Sequence, residues 1–203
     1  MNSMLKAIRK RRSRYGLKKE ITMSQAAVKE LIEKIIVTMP SQSNSQTARL
    51  VILFGEEHDK FWNKTLDTIK NTMSKPENFP KTEHKVNTGF KAGYGTILFF
   101  EDQTVLDALE KKRPKYALNV QPWSLQSAGM LQFAIWAALA EEGIGASLQH
   151  YQELIEDWTK QEWAISQDWK LLAQMPFGIA YDELPDKFIM PVAERVFYHG
   201  KAE

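Results

Sequence analysis

The stretch WSLQSAGMLQFAIWAALAEEG, residues 123–143, is the strongest structural signal in the chain. It is rich in residues that favour the α-helix, and Gly143 is the expected stop at its C-terminus. Apolar residues occupy most sides of this helix instead of a single stripe. Such a helix lies either in the centre of a core or at an oligomer interface, and the sequence leaves both possibilities open.

The segments on either side of this helix predict a small sheet surrounded by helices. Three apolar runs are typical of buried strands, and five other segments have helical periodicity. Ser24 is placed to cap the second of these helices, and Pro40 follows its end. The predicted strands are 48–55, 95–102 and 169–183, and the predicted helices are 4–12, 24–39, 56–73, 103–112 and 151–163.

Two segments show little regular pattern. Residues 74–95 contain two prolines and three glycines and are predicted to form a long irregular loop, while residues 184–203 are predicted to be an extended tail. Helices therefore alternate with few strands, which predicts an α+β or α/β fold around a small sheet. We expect a single domain over residues 1–203, because no repeat or low-complexity linker interrupts the chain.

Composition excludes several classes of protein. The chain has 203 residues, a formal net charge of +2 and no cysteine, so it has no disulfide, thiol nucleophile or cysteine–zinc site. No segment approaches the roughly 20 apolar residues of a membrane span, and no secretion signal is visible at the N-terminus. A cytoplasmic location is the default prediction. The four histidines lack metal-ligand spacing, so we predict no metal site.

A basic cluster near the N-terminus is the first candidate binding site. Arg11, Arg12 and Ser13 combine two guanidinium groups with a hydroxyl, which are groups that bind a phosphate monoester. The residues alone leave two alternatives open, a phosphate site and a solvated helix end favoured by the helix dipole. A nucleic-acid arm is disfavoured, because the rest of the chain has no excess of positive charge.

Two polar segments are further candidates. Residues 41–46, SQSNSQ, offer amide and hydroxyl groups that can contact the edge of a heterocycle, although an ordinary loop has the same composition. Residues 147–150, SLQH, either present backbone N–H groups to a ligand or form a plain connecting turn. No nucleotide-binding glycine loop and no nucleophile motif occurs, so the sequence shows no catalytic constellation of its own.

The order of these pieces resembles the FMN-dependent nitroreductase family. The strings RRSRYGL, PSQSNSQTARLVILFG, WSLQSAGMLQFAIWAALAEEGIGASLQHY and PVAERVF are most similar to its small fungal and bacterial fatty-acid-repression-type subgroup, which reduces 4-nitroquinoline N-oxide. The resemblance implies an α+β fold with a central, mostly antiparallel sheet flanked by helices. It also implies an intertwined homodimer, in which helix 123–142 lies at the interface and the C-terminal tail crosses to the partner and extends its sheet.

The resemblance also implies which residues bind FMN. One chain would supply the phosphate and ribityl contacts and the segment against the isoalloxazine, and the other chain would supply the loop. A basic residue near the C-terminus would complete the phosphate site, with Arg195 preferred over Lys187 and Lys201. The family's basic position two residues after the serine is Tyr15 here, which leaves Arg14 without an assigned role. The implied residues are Arg11, Arg12, Ser13, Leu148, Gln149, His150 and Arg195, and from the partner Ser41, Ser43, Asn44 and Gln46.

The implied activity is hydride transfer from NADH or NADPH to nitroaromatics or quinones in a ping-pong cycle. The flavin would carry the redox chemistry, so no catalytic side chain is required. Trp123 and residues 74–95 would line the space for the acceptor. The alternative is an FMN-binding regulatory or flavin-carrier protein with little turnover.

Overall fold

The fold is built on an antiparallel sheet, as the computed structural model of residues 2–200 shows. Its long strands are β2 (Ala48–Phe54), β3 (Gly95–Asp102) and β5 (Trp169–Ala180), which confirms the three predicted strands. Two short strands, β1 (Leu17–Lys18) and β4 (Gly145–Ala146), were not predicted and pair with β5. The order across the sheet is β1-β5-β3-β2, and all of its strand pairs are antiparallel.

The described residues contain seven α-helices around this sheet. Ser24 caps α2 as predicted, because its side chain accepts a hydrogen bond from the Ala27 N–H. Asp102 caps α5 in the same way through the Thr104 N–H. The helices are α1 (Ser3–Lys10), α2 (Gln25–Thr38), α3 (Gly55–Thr72), α4 (Phe79–Gly89), α5 (Gln103–Lys112), α6 (Ala117–Glu141) and α7 (Gln152–Glu162).

The prediction of an irregular loop over 74–95 is wrong. Most of this segment is helical. Pro80 does not interrupt α4, because it stands in the first turn, where its missing N–H removes no helical hydrogen bond. Val86 and Phe90 are fully buried against the sheet and drive the packing of the helix. Proline and glycine were read as interruptions, although here they mark the two ends of a helix.

Helix α6 is longer than predicted. It starts at Ala117, six residues before the predicted start, and continues through Pro122. Proline removes one helical hydrogen bond, to Leu118, near the exposed beginning of the helix. The predicted end is confirmed, since Gly143 follows the helix with a φ of +77°.

The sheet is covered on both faces, and the alternation along β3 shows how. Ile97 and Phe99 pack with α2 and α6, whereas Leu98 and Phe100 pack with α3, α4 and α7. We call the side of α2 and α6 the open face and the side of α3, α4 and α7 the closed face. Every residue of β3 is buried, so this strand is the centre of the molecule.

The C-terminal tail does not contribute to either core. From Glu183 to Gly200 every residue is exposed. A short 3-10 turn at Val192–Glu194 gives this stretch some local order. Phe188, Phe197 and Tyr198 are 86%, 72% and 87% exposed, which is unusual for large apolar side chains. Strand β2 is the free edge of the sheet on the other side of the molecule.

Candidate functional site

The predicted basic cluster is held against the sheet by its backbone. Helix α1 ends at Lys10, and Arg11 is its C-terminal cap. Ser13 then forms a parallel bridge with Ala146 of β4, where the Arg14 N–H donates to the Ala146 carbonyl at 2.9 Å. This pairing brings the basic cluster next to the segment 147–150, so two predicted parts of the site are adjacent in a single chain.

Arg11 is in an unusual electrostatic environment. Its guanidinium lies 4.3 Å from the ring centre of Trp136 and 5.8 Å from that of Phe133, both on α6. Its Nε is buried and has no hydrogen-bond partner within residues 2–200. Burial, and then the like charge of Arg12, lower the pKa of Arg11 below its ordinary value. A bound anion would relieve both the desolvation and the repulsion.

A cavity of about 270 Å³ opens beside this cluster. Arg12 is fixed at its edge, because Nη2 donates to the Pro185 carbonyl at 2.9 Å. The lining has three cationic side chains and two hydroxyls, which is a donor set suited to phosphate. The cavity is lined by Arg11, Arg12, Ser13, Tyr15, Asp182, Leu184, Pro185 and Lys187.

Asp182 is the acidic member of this lining, and Arg14 neutralises it. The Asp182 Oδ1 accepts a hydrogen bond from Arg14 Nε at 2.8 Å, and Oδ2 accepts one from the Tyr15 N–H at 3.0 Å. Arg14 also donates to the Asp182 carbonyl. The structure therefore places Arg14 behind the cavity, where it anchors the start of the tail and leaves the other cations free for a ligand.

The C-terminal basic residue of the predicted site is placed as follows. Lys187 lines the cavity, whereas Arg195 lies further along the exposed tail and does not line it. Lys201 lies outside the described residues. The preference for Arg195 stays a prediction. It requires a different position of the tail, in which Arg195 would reach the phosphate site of a partner chain.

The segment 147–150 follows β4 beside the basic cluster, and two of its backbone N–H groups have no acceptor within residues 2–200. Gln149 is buried, its N–H donates to the Gln174 carbonyl at 2.7 Å, and its side chain donates to Ser147 Oγ. The N–H groups of Leu148 and His150 donate to no acceptor within residues 2–200. The ligand contacts available here are therefore those two amides, and the Gln149 side chain is already engaged.

The polar loop 41–46 has a strained backbone. Ser43, Asn44 and Gln46 all have positive φ, at 55°, 53° and 51°, which is uncommon for residues other than glycine. Ser41 Oγ accepts a hydrogen bond from the Gln46 N–H at 3.0 Å and holds this shape. Two buried loop atoms, Gln42 Oε1 and Ser45 Oγ, have no hydrogen-bond partner within residues 2–200. Such unpaired buried groups are typical of a loop that contacts a ligand or another chain.

A second, more open cavity of about 730 Å³ lies beside this loop. Trp123 lines it, whereas none of the described residues of 74–95 does, because α4 packs on the closed face. The role of Trp123 in the acceptor space stays a prediction. Sequence reasoning missed Arg113 and Tyr116, for which the basic and aromatic string KKRPKY was the available signal. The lining is Pro40, Ser41, Gln42, Ser43, Arg113, Tyr116, Trp123, Gln126, Ser127 and Met130.

The two cavities lie at different heights along α6. The loop contacts the helix at Ser127, whose Oγ accepts a hydrogen bond from the Gln42 N–H at 3.1 Å, while Arg11 contacts it at Trp136. Nine residues of helix separate these points, which is about 13 Å. None of the cavities described here contains residues of both the basic cluster and the loop, so a single chain does not unite the two halves of the predicted site.

A third cavity, of about 240 Å³, lies on the other side of the loop. It is lined by Ser41, Gln46, Arg49 and Glu101 together with apolar residues of α2 and α6. Glu101 is 1% exposed; its Oε2 accepts a hydrogen bond from Gln121 Nε2 at 2.7 Å, while Oε1 has no partner within residues 2–200. Neither Gln121 nor Glu101 was singled out from the sequence.

Comparisons with known proteins agree on one family. A family model described as the nitroreductase family matches residues 8–179. The nitroreductase FRM2 of Saccharomyces cerevisiae is 29% identical over 177 residues, 86% of each chain, and the related HBN1 protein of the same yeast is 30% identical over 178 residues. The nitroreductase CinD from Lactococcus lactis in complex with chloramphenicol superimposes with a TM-score of 0.88 and 36% identity, covering 98% of this chain and all of that one. An FMN-bound nitroreductase from Desulfitobacterium hafniense shares the fold, with a TM-score of 0.72 and 18% identity.

Proposed function

The chain belongs to the nitroreductase family of oxidoreductases, and from that premise we propose that it is an FMN-dependent enzyme that oxidises NADH or NADPH and reduces nitroaromatics or quinones. The single observation that carries the assignment of FMN is the cavity of Arg11, Arg12, Ser13 and Lys187. Within residues 2–200 none of its cations forms an ion pair with a carboxylate, and the one carboxylate of the lining, Asp182, is already neutralised by Arg14. A phosphate monoester supplies the charge that this donor set lacks.

The remaining predicted contacts are hydrogen-bond donors and cations of the kind that would bind a flavin ring. When bound, FMN supplies hydride transfer in two half-reactions, which is the chemistry of a ping-pong cycle. The free N–H groups of Leu148 and His150 would donate hydrogen bonds to the ring edge, and Arg11 and Arg12 would favour an anionic ligand. No side chain of this chain has to act as an acid or base, which agrees with the absence of a catalytic constellation in the sequence.

The second part of the proposal is that the functional unit is a homodimer with two shared sites. Leu125, Met130 and Phe133 of α6 are exposed although apolar, and so is the tail. The orphaned polar atoms of loop 41–46 would be satisfied by the partner's flavin or backbone. The tail would pair with the free edge of β2 in the partner, which would place the loop of one chain near the phosphate cavity of the other.

Two observations favour nitroaromatic acceptors: the ligands bound in related structures, and the aromatic lining of the cavity beside loop 41–46. CinD has been solved with chloramphenicol, 4-nitrophenol and nicotinic acid, all of which contain an aromatic ring. In this chain the rings of Tyr116 and Trp123 line the cavity next to the loop. Flat acceptors stack on such rings.

Colour and turnover test this proposal. The purified protein is expected to be yellow, with flavin absorbance that comigrates with the protein, and to oxidise NADH or NADPH when 4-nitroquinoline N-oxide or a quinone is added. A colourless protein that takes up no added FMN would overturn the cofactor assignment. A yellow protein without turnover would instead support the flavin-carrier or regulatory alternative.

Two further predictions concern the cellular location and the domain organisation of the protein. Among residues 2–200, no helix has the length and apolar character needed to cross a bilayer. The cytoplasmic location and the single domain over 1–203 stay predictions. Binding to nucleic acid is not part of the proposal, because the rest of the chain has no excess of positive charge.

A further inference from the structure

Arg113 has a backbone that holds its side chain at a defined place beside the open cavity. It caps α5, and its N–H donates to the carbonyls of Leu109 and Glu110 at 2.9 and 3.2 Å. Pro114 follows and restricts Arg113 to non-helical φ and ψ, here −133° and 62°. The next turn is closed by the Tyr116 N–H, which donates to the Arg113 carbonyl at 2.8 Å. Arg113 is therefore positioned by two flanking helical turns.

The guanidinium of Arg113 lacks an anionic partner. Its Nη1 donates to Ser43 Oγ at 2.8 Å, which joins it to the polar loop. Within residues 2–200 no carboxylate forms an ion pair with it. A guanidinium has five N–H donors in a planar fork that matches a carboxylate, and the Ser43 hydroxyl occupies one nitrogen. Most of its binding capacity remains for a ligand in the cavity.

The walls beside Arg113 are suited to a flat ring. The Tyr116 and Trp123 rings lie 6.0 Å apart between centres and are tilted by 44°, and Met130 is a further apolar residue of the lining. The other polar groups of the lining are neutral hydroxyls and amides, so Arg113 is its charged member. A volume of about 730 Å³ is within the range of small-molecule sites.

The surroundings add to the positive potential at this cavity. Lys111, Lys112 and Lys115 flank Arg113, and the acidic residue next to them in the sequence is Glu110. Lys115 does not line the cavity. Its ammonium lies 5.6 Å from the ring centre of Tyr116. Charge of one sign at the mouth of a cavity raises the local concentration of ligands of the other sign.

We propose that Arg113 is a specificity-determining residue that binds the carboxylate of an aromatic acceptor, so that the preferred acceptors are aromatic anions such as nitrobenzoates. The inference builds on the proposed function and adds the charge class of the acceptor. The aromatic pair holds the ring, and the guanidinium fork holds the acidic substituent. Electron acceptors of the same shape without a negative charge are used less well.

The test compares 4-nitrobenzoate with 4-nitrobenzamide, which have similar shapes and differ in charge. The two acceptors also differ in intrinsic reactivity, so the measured quantity is the ratio of their kcat/KM values in each variant. Arg113→Ala is expected to lower the carboxylate-to-amide ratio by about tenfold, a moderate value because the side chain is exposed. Arg113→Lys keeps the charge but loses the fork, and is expected to fall in between.

Lys115→Ala is the matched control, because it removes one positive charge from the same turn at a residue that does not itself line the cavity. Its ratio is expected to stay within about twofold of the wild type. An equal loss in Lys115→Ala and Arg113→Ala would mean that general attraction, and not binding by Arg113, selects the anion, and the proposal would be wrong. An effect of Arg113→Ala on KM for NADPH with an unchanged acceptor ratio would also overturn it, in favour of a contact with the reductant's phosphates.

Binding measurements separate this inference from the proposed function. Calorimetric titration of 4-nitrobenzoate and 4-nitrobenzamide into the full chain needs no turnover. Tighter binding of the carboxylate that is lost in Arg113→Ala would support the inference even in a protein without reductase activity. Turnover of both acceptors with a ratio that Arg113→Ala leaves unchanged would refute the inference while the proposed function stands.

Discussion

The two faces of the sheet differ in how completely a single chain covers them. On the closed face, α3, α4 and α7 cover the sheet with an aromatic core that includes Phe61, Trp62 and Phe90. Among residues 2–200, none of the exposed large apolar side chains lies on those three helices. On the open face, α6 leaves Leu125, Met130 and Phe133 exposed in the same chain.

Polar groups show this contrast in part. On the closed face, Thr96 Oγ1 joins His58 Nδ1 at 2.8 Å and accepts a hydrogen bond from Trp62 Nε1 at 2.9 Å, so a buried network is complete. On the open face, the buried Arg11 Nε and Ser45 Oγ have no partner within residues 2–200. The closed face satisfies this network within one chain, although Gln152 Oε1 of α7 also has no partner within residues 2–200; the unpartnered groups of the open face lie at the surface that we propose binds a ligand and a second chain.

The largest expected effect comes from removing the tail. Deleting residues 188–203 removes no buried side chain of residues 2–200, so the far-UV circular dichroism should be retained. If the tail completes the open face of a partner, the dimer should weaken by more than about 100-fold, with loss of bound FMN. Light scattering coupled to size exclusion, with absorbance at the flavin band, measures both.

A full-length control shows whether apolar contact or tail length is responsible. Replacing Phe188 and Phe197 with serine should act like the deletion, because both side chains are exposed in one chain and would be covered in two. A truncated protein that remains a yellow dimer would contradict the contrast between the faces.

The next effect is on the closed face and concerns acid stability. Burial lowers the pKa of His58 from 6.5 to about 4 in the folded protein. Between these pH values the unfolded chain binds a proton that the folded chain does not, so the free energy of unfolding falls as the pH drops from 6.5 to 4. The full loss is on the order of 3 kcal/mol, measured by urea unfolding across this range.

His84 supplies the control for this measurement, because it is an exposed histidine on α4 of the same face. His84→Asn should keep the pH dependence, and His58→Asn should reduce it at the price of lower stability at neutral pH. NMR titration of the His58 ring gives its pKa directly. A value near 6.5 would show that the closed-face network is open to water.

The smallest expected effect is at the phosphate cavity. Arg11→Ala or Arg12→Ala should weaken FMN binding by about 1–3 kcal/mol, because a charge-assisted hydrogen bond is lost. Lys18→Ala, an exposed cation in β1, should leave the FMN Kd unchanged. Fluorescence titration of FMN measures these affinities, and unchanged binding in both arginine variants would refute the phosphate assignment.

The same titration decides between the two tail cations. Lys187 lines the cavity in one chain, whereas Arg195 could reach a phosphate once the tail is ordered by a partner. A loss of affinity in Lys187→Ala alone would show that the cavity of a single chain is already the complete phosphate site. A loss in Arg195→Ala would support the prediction made from the family resemblance.

Local signals account for the parts of the fold that were predicted correctly. Ser24 accepts a hydrogen bond from Ala27 N–H within its own turn, and the apolar runs at β2, β3 and β5 need no distant context to favour strands. Residues 74–95 were misinterpreted, because the burial of Val86 and Phe90 against α3 and the sheet outweighs the local signal of proline and glycine. The two-residue strands β1 and β4 were missed, since they exist through pairing with β5.

For the site, the sequence by itself determined the chemical character of the pieces: the cations and hydroxyl of Arg11–Ser13, the neutral polar loop 41–46, and their order along the chain. These depend on residue type, which does not change on folding. Tertiary structure decided their use. It paired Arg14 with Asp182, brought Lys187 to the cavity, and joined Arg113 to Ser43. Such contacts join residues far apart in the chain, and they depend on how the helices pack on the sheet, which no local pattern records.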